Sequence, residues 1–270
     1  MLNFICTFGT KKIYSNKKKY TVIKMKYLSR IFIGIIGLAV SYGLVSCKVE
    51  DKVNVLVITG GHDYDEEGFD LLLTKLPIRY ELVKHPDAFA MFSSENIKNY
   101  QTVLLYDMPD DITDKAQSDF LAMLEEGIGL VTLHHAVCSY RHWTEYKYIV
   151  GGRYAHTPWM KDDVEQPASS YTHDVELHIK VGELEHPVTK GVEDFQIIDE
   201  AYGDIEILPT VHPLLFTDEP LSSPLVCWVH QYKNSRVVAL TLGHDKQAWE
   251  NPAFIQILSQ AIQWTTEKEK

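Results

Sequence analysis

The sequence contains little cysteine. Four cysteines are present, and only Cys138 and Cys227 belong to the part of the chain that follows Cys47. Two thiols in a domain of this size exclude a disulfide scaffold. One disulfide bond or two separate buried thiols remain as alternatives.

Basic residues are scarce outside the N-terminal segment. Residues 1–46 contain eight of the 26 Lys and Arg and no Asp or Glu, which leaves 18 basic and 37 acidic residues and a formal net charge of −19. So acidic a body excludes nucleic acid as a partner, because nucleic-acid binding needs a basic surface. Attraction to anionic lipid through charge is excluded for the same reason.

The N-terminal segment resembles a bacterial lipoprotein signal peptide. A lysine-rich stretch precedes an apolar run, residues 31–45, that is shorter than the roughly 20 residues of a membrane-spanning helix. Cys47 follows this run directly, where lipoprotein signals place their acylated cysteine. We expect cleavage after residue 46 and a lipid-anchored protein on the periplasmic face or the surface of the outer membrane. An uncleaved membrane anchor is the alternative, and translation from Met25 would still give a complete signal.

Strand and helix patterns alternate after a short linker over residues 47–52. Runs of β-branched apolar residues predict buried strands, and amphipathic stretches predict helices. The predicted strands are 53–59, 80–83, 102–106, 129–133, 174–180, 226–231 and 236–241, and the predicted helices are 66–76, 114–126, 143–150 and one that begins at Pro252. Asp114 and Asn251 are the predicted N-caps, with Gln117 completing a capping box. The pattern predicts one α/β domain over 53–266, a doubly wound, mostly parallel sheet with an antiparallel extension.

Histidines follow three of the four predicted strands that end in polar residues. They are His62 after the first strand, His134 and His135 after the strand 129–133, and His244 after the last strand. In open α/β sheets ligands bind beyond the carboxyl ends of the strands, which lie side by side. These histidines are therefore expected to line one site, as metal ligands, general bases or partners of sugar hydroxyls.

Five motifs, in this order, resemble the ThuA-like family of trehalose-utilisation proteins. They are GGHDY at 60–64, LHHAV at 133–137 with Trp143 after it, GGRYAH at 151–156, DEAYG at 199–203 and LGHD at 242–245. The resemblance covers nearly all of residues 53–265 and implies a flavodoxin-like sheet of the class I glutamine amidotransferase type. It also implies a role in sugar catabolism, around trehalose and related or 3-keto glucosides, with a small carbohydrate as partner.

Glutamine amide hydrolysis is not expected, despite the implied fold. Amidotransferases of this class carry a nucleophilic cysteine on a sharp turn after a central strand and a histidine before the last helix. Here the turn holds His134 and His135, and Cys138 lies beyond it, whereas His244 occupies the place of the histidine. The thiol is therefore missing from the position that this reaction needs.

The motifs supply the candidate site residues. We predict His135, His244 and Glu200 as catalytic residues. The predicted substrate-binding residues are His62, Asp63, Trp143, Arg153, Tyr154, His156 and Tyr202. A divalent metal, zinc first, would be bound by His62, His135, His156 and His244, with a carboxylate such as Glu200.

Structural roles remain as alternatives for these residues. Each histidine can instead be a hydrogen-bonded structural residue, and this holds most for His134, because neighbours on a strand point to opposite sides. Asp199 and Glu200 can lie on a solvated loop, and the tryptophans can belong to the core.

The preferred function is acid–base or metal-assisted chemistry on a sugar, such as isomerisation, hydration or lyase-type cleavage of an oxidised glycoside. A carbohydrate-binding lipoprotein without catalysis is the alternative from another class, and an assembly lipoprotein is a third. The sequence is also compatible with a homo-oligomer.

Overall fold

The computed structural model describes residues 52–267. The predicted signal peptide, the alternative start at Met25 and the predicted lipidation site, Cys47, lie outside the described residues. Within them, none of the helices combines the length and the apolar character that crossing a bilayer requires.

Strands and helices alternate in the first half of the described chain, and strands dominate the second half. The strands are β1 (Val53–Gly60), β2 (Ile78–Lys84), β3 (Thr102–Asp107), β4 (Gly129–Leu133), β5 (Gly152–Arg153), β6 (Trp159–Lys161), β7 (Val164–Gln166), β8 (Ser170–Val181), β9 (Phe195–Gly203), β10 (Glu206–Ile207), β11 (His212–Thr217), β12 (Leu225–Tyr232) and β13 (Ser235–Leu240). The helices are α1 (Glu66–Lys75), α2 (Ser94–Ile97), α3 (Asp114–Glu125), α4 (Thr144–Val150), α5 (Lys246–Trp249) and α6 (Pro252–Thr265), with 3-10 helices at Asp87–Phe92 and His134–Cys138.

Nine strands form one sheet in the order β2-β1-β3-β4-β13-β12-β11-β8-β9. The first five are parallel to one another, and the other four add an antiparallel extension. The order of the parallel part is that of a flavodoxin-like sheet. The predicted α/β fold, a doubly wound sheet with an antiparallel extension, is confirmed.

Alternate residues of β1 face two different helical layers. Val55 packs in a buried cluster with Phe254 of α6, on one side of the sheet. Leu56 packs with Phe120 of α3 in the cluster on the other side. Burial of each such side chain contributes about 1.5–3 kcal/mol. Both faces of the parallel part are therefore covered, which leaves the strand ends as the place for a site.

The start of α3 differs from the prediction by one residue. Thr113, in extended conformation, is the N-cap, and its side chain accepts a hydrogen bond from the Ala116 N–H. Asp114 is instead the first helical residue, where its negative charge interacts favourably with the positive end of the helix dipole. Gln117 does not complete the predicted capping box. Asn251 caps α6 as predicted.

The strand β9 was not predicted. The Asp199–Glu200 pair lies in it, and both residues are buried. Strand β9 pairs along most of its length with β8, which itself begins four residues before the predicted strand. The alternative of a solvated loop for this pair is therefore wrong, because both residues are buried within a strand of the sheet.

Both cysteines of the described domain are free thiols. Cys138 and Cys227 are buried and are not joined by a disulfide bond. The alternative of two separate buried thiols is the correct one.

Candidate functional site

A cleft of about 330 Å³ opens at the carboxyl ends of β1, β3 and β4, next to β8 and β9. Its lining residues are His62, Met108, His135, Cys138, Tyr154, His156, Tyr171, His173, Glu200 and Tyr202. A larger cleft, about 520 Å³, lies around Trp159 and Leu221, but no histidine lines it. The titratable groups therefore identify the smaller cleft as the candidate site, and it is called the histidine cleft below.

Gly61 brings His62 to the histidine cleft. Its φ is +82°, and a Cβ there would lie 2.5 Å from the backbone of Met108. Only glycine allows this approach of the β1 loop to the β3 loop. The His62 ring then stacks on His135, with ring centroids 4.7 Å apart. Asp63, the next residue, is exposed and does not line the cleft.

His134 occupies the sharp turn after β4, with φ +51°. This left-handed conformation turns the His134 side chain toward β9, and its Nδ1–H donates to the Thr241 carbonyl at 2.9 Å. The opposite sides expected for His134 and His135 do not hold, because the two rings contact each other edge to face, with centroids 5.3 Å apart. The structural alternative for His134 thus overlooked its polar neighbours, because a strand geometry does not apply in a turn.

Three side chains meet around His134 Nε2. The Glu200 Oε2 lies 3.0 Å from it, the His244 Nδ1 3.2 Å and the Tyr202 hydroxyl 3.0 Å. The other oxygen of Glu200 lies 3.0 Å from the His173 Nδ1. Polar groups from the turn after β4, from β8 and β9 and from the loop after β13 thus form one connected network beside the histidine cleft.

Asp199 fixes the backbone of the residues that carry this network. Its carboxylate accepts hydrogen bonds from the backbone N–H groups of Gly243, His244 and Glu200, at 2.6, 2.9 and 2.8 Å. Burial raises the pKa of Asp199, and these donors together with His134 offset only part of that effect. Asp199 was not among the predicted site residues, although its place in the DEAYG motif was the available signal.

The protonation of Glu200 and His244 follows from their surroundings. Burial raises the pKa of Glu200, but the hydrogen bond with His134 and the electrostatic influence of His134 and His244 outweigh burial, and the net pKa is lowered. Burial and the neighbouring His134 lower the pKa of His244, against the opposite influence of Glu200. A carboxylate and a neutral imidazole are therefore present at neutral pH.

His135 is the least satisfied polar side chain of the histidine cleft. It is 2 % exposed, and within residues 52–267 neither of its ring nitrogens has a hydrogen-bond partner. Burial, together with His134 and His62, lowers its pKa well below the usual value. The Tyr106 backbone lies close enough to counter part of this pKa shift, without the geometry of a hydrogen bond. His135 is thus a neutral imidazole whose two ring nitrogens are available to a polar ligand.

The structure brings six of the predicted site residues together in the histidine cleft. They are His62, His135, Tyr154, His156, Glu200 and Tyr202, with His244 beside them. Sequence reasoning missed Met108, Tyr171 and His173. The last two lie on β8, and Tyr171 is in register with Tyr202 of β9. Recognition of β9 as the partner strand of β8 would have indicated both.

Arg153 and Trp143 do not line the histidine cleft. The Arg153 Nε donates to Glu206 at 2.6 Å, and the Lys147 ammonium binds the other oxygen of Glu206 at 2.9 Å. Trp143 packs against Tyr146. Both predicted residues line an adjoining cleft of about 260 Å³, which shares Cys138, Tyr154 and His156 with the histidine cleft.

Cys138 lacks the environment of a nucleophile. Burial raises the pKa of its thiol, so the neutral thiol predominates at pH 7. The strained turn after β4, where the amidotransferase thiol is expected, belongs to His134. The geometry thus offers no activated cysteine among the described residues.

The predicted metal ligands do not form one cluster. Among residues 52–267, the group with suitable ligand atoms within 4.8 Å of one another is His134, Glu200 and His244. It shares only His244 with the predicted four histidines. The reason is again the turn at His134, which directs that imidazole to Glu200, while His135 stacks on His62 instead.

Comparisons with known proteins agree with this architecture. The family model described as "ThuA: Trehalose utilisation" matches residues 54–265. A ThuA-like protein from Parabacteroides merdae superposes with a TM-score of 0.67 and 19% identity, over 80% of this chain and 90% of the other. A ThuA-like protein from Bacteroides uniformis gives 0.61 and 19%, over 79% and 91%. PurLQS from Thermotoga maritima gives 0.52 and 10%, over 79% and 99%.

A search of curated proteins gave no match. The solved structures share the fold with this chain. The family model, over residues 54–265, extends from β1 to α6 and includes every strand of the sheet. The family description supports a carbohydrate-related role. The chain belongs to the ThuA family of trehalose-utilisation proteins.

Proposed function

We propose that this protein is a carbohydrate-processing enzyme that performs acid–base chemistry on a sugar or a keto-glycoside in the histidine cleft. The observation that carries the proposal is His135, buried in the lining with both ring nitrogens unpartnered among the described residues. Leaving such a group without a hydrogen bond costs about 1–3 kcal/mol. A substrate hydroxyl or an acidic C–H would give it a partner.

His135 is present in the protonation state that can accept a proton. Its lowered pKa keeps the imidazole neutral at pH 7, and the same shift makes it a weak base. A weak base needs an acidified proton, and a carbon next to a sugar ketone provides one. Isomerisation, hydration and lyase-type cleavage of an oxidised glycoside all begin or end with such a transfer. Glu200 and His244 lie in the hydrogen-bond network of His134, beside the histidine cleft, where they complete the site.

The two adjoining clefts suit a substrate with more than one unit. They share Tyr154 and His156, and aromatic or imidazole rings line both. Such rings pack on the apolar faces of sugars, and their polar ends bind hydroxyls. One sugar ring would occupy the histidine cleft, and a second ring or an aglycone would contact Arg153 and Trp143 in the adjoining cleft.

Export and lipidation belong to the same proposal. The lysine-rich segment, the apolar run and Cys47 support a lipoprotein that meets its sugar outside the cytoplasm. The lipid on Cys47 would anchor the acidic domain to the membrane.

A sugar screen with a matched pair of variants tests the function. The full-length protein is incubated with trehalose, glucosides and their 3-keto forms, and products are followed by NMR and chromatography. We expect turnover of at least one keto-glycoside, lost in His135→Gln and kept in His178→Gln, a control on the exposed part of β8. Sugar binding without any product in the wild type would instead identify a carbohydrate-binding protein. Equal turnover by both variants would refute the role of His135.

A further inference from the structure

His134, Glu200 and His244 present three ligand atoms to a common point. The Oε2 of Glu200 lies 3.0 Å from His134 Nε2, the two imidazole nitrogens are 3.2 Å apart, and His244 Nδ1 is 3.6 Å from the carboxylate oxygen. We infer that these residues bind one divalent transition-metal ion, for which zinc is the first to test. The inference goes beyond the proposed acid–base function, because it stands on this geometry alone.

The acceptor atoms around His134 Nε2 suit a cation. Since the Thr241 carbonyl can only accept, the His134 Nδ1 carries the proton, and in the neutral ring Nε2 is left with a lone pair. Two groups lie 3.0 Å from that nitrogen: the Glu200 carboxylate, which is also an acceptor, and the Tyr202 hydroxyl, whose one proton cannot serve both Glu200 and the ring. A proton between them satisfies a single pair of atoms. A metal ion satisfies all three ligand atoms at once.

The size of the triangle fits a transition metal. Its centre lies about 1.9 Å from each atom, slightly less than zinc–ligand distances of about 2.0–2.1 Å. An ion would therefore sit just out of the plane of the three atoms. Its remaining coordination positions would then lie on one side, as catalytic metal sites require.

The donor chemistry agrees with the size. Two histidines and one carboxylate are a ligand set of catalytic zinc and of non-haem iron. The bond from His134 to the Thr241 carbonyl is the outer-shell contact that fixes the tautomer of a ligating imidazole. Glu200 lines the histidine cleft. The ion would therefore border the proposed sugar site and could contact oxygen atoms of the bound sugar.

Metal binding is measured without any sugar. The untagged full-length protein is stripped with EDTA, freed of chelator and titrated with Zn²⁺ by calorimetry, and bound metal is counted by mass spectrometry. We expect one equivalent per chain, with affinity reduced about 100-fold or more in Glu200→Gln and His244→Gln. The controls His62→Gln and His156→Gln carry the same type of change at histidines of the cleft outside the triangle, and they should bind zinc as the wild type does.

A spectroscopic measurement distinguishes loss of the metal site from misfolding of variants at buried positions. His244 is a quarter exposed, so that His244→Gln disturbs the core least. Co²⁺ in the wild type should give visible absorption bands that His244→Gln lacks at an unchanged melting temperature. Absence of stoichiometric zinc in the wild type, or equal zinc binding by His244→Gln, would overturn the inference. His135→Gln should keep the metal while losing sugar chemistry, so the two proposals can fail separately.

Discussion

The His134 imidazole and the Glu200 carboxylate lie 3.0 Å apart, although 66 residues separate them along the chain. His134 ends the fourth strand of the parallel part, and Glu200 comes from the outermost strand of the extension. The antiparallel extension therefore does more than enlarge the sheet. It supplies the acidic side chain that the strand ends of the parallel part lack at this position.

The first prediction concerns the support of this contact. Asp199→Asn replaces one acceptor oxygen by an N–H₂ group that faces backbone N–H donors of the His244 loop. We expect a loss of about 1.5–3 kcal/mol in the free energy of unfolding, the range for hydrogen bonds to a charged group. Urea denaturation measures it.

The control for Asp199→Asn is the same substitution at the surface. Asp218 pairs with Lys180 in solvent, and Asp218→Asn should leave the unfolding midpoint unchanged. Equal effects of the two substitutions would show that Asp199 has no special supporting role.

The second prediction separates the two adjoining clefts. His156 lines both clefts, whereas Arg153 lines only the adjoining one. His156→Ala should therefore weaken binding of monosaccharides and disaccharides alike. Arg153→Ala should weaken only the disaccharides, by several-fold. Calorimetric titrations with matched mono- and disaccharides check this, and a loss of monosaccharide binding in Arg153→Ala would contradict the assignment.

The third prediction concerns acid stability. Burial lowers the pKa of His230, whose Nε2–H donates to the Ile149 carbonyl at 2.8 Å. The unfolded chain binds a proton near pH 6.5 and the folded chain does not, so the free energy of unfolding falls as the pH drops below about 6.5. One such group contributes a slope of at most about 1.4 kcal/mol per pH unit.

His230→Gln tests this slope. The glutamine amide can still donate to Ile149 but does not titrate. Urea denaturation between pH 5 and 8 should give a shallower slope for the variant below about pH 6.5 and equal slopes above it. Parallel curves over the whole range would show that His230 does not contribute.

Some of the site was predictable and some was not, for identifiable reasons. The strands β1, β3 and β4 are short apolar runs, and polar residues follow each, so their shared edge could be predicted. The strand β9 carries Asp199 and Glu200 in its middle, which hides its apolar pattern. The direction of His134 depends on a φ of +51°.

Contacts between distant segments were the other obstacle. No local pattern indicates that Thr241, Glu200 and Tyr202 surround one imidazole. Arg153 follows a double glycine in the motif GGRYAH, but its guanidinium pairs with the Glu206 carboxylate, which lies 53 residues away along the chain. The fold class followed from local periodicity and motif order, whereas the choice of ligands depended on tertiary pairing.

The fourth prediction concerns the lipid anchor. Cys47→Ser should abolish incorporation of labelled palmitate and release the protein from the membrane fraction of the cell. The control is Cys6→Ser, which changes a cysteine before the apolar run and should keep both the label and the location. Labelling that persists in Cys47→Ser would exclude Cys47 as the modified residue.

The central claim is that His135 removes a proton from a sugar, and hydrogen exchange tests it most directly. A 3-keto glycoside is incubated with the protein in D₂O, and the C–H groups beside the ketone are followed by NMR. We predict deuterium incorporation with the wild type at a rate far above that of buffer, and the buffer rate with His135→Gln. Exchange that is equally fast in both proteins, or no faster than in buffer with the wild type, would contradict the account.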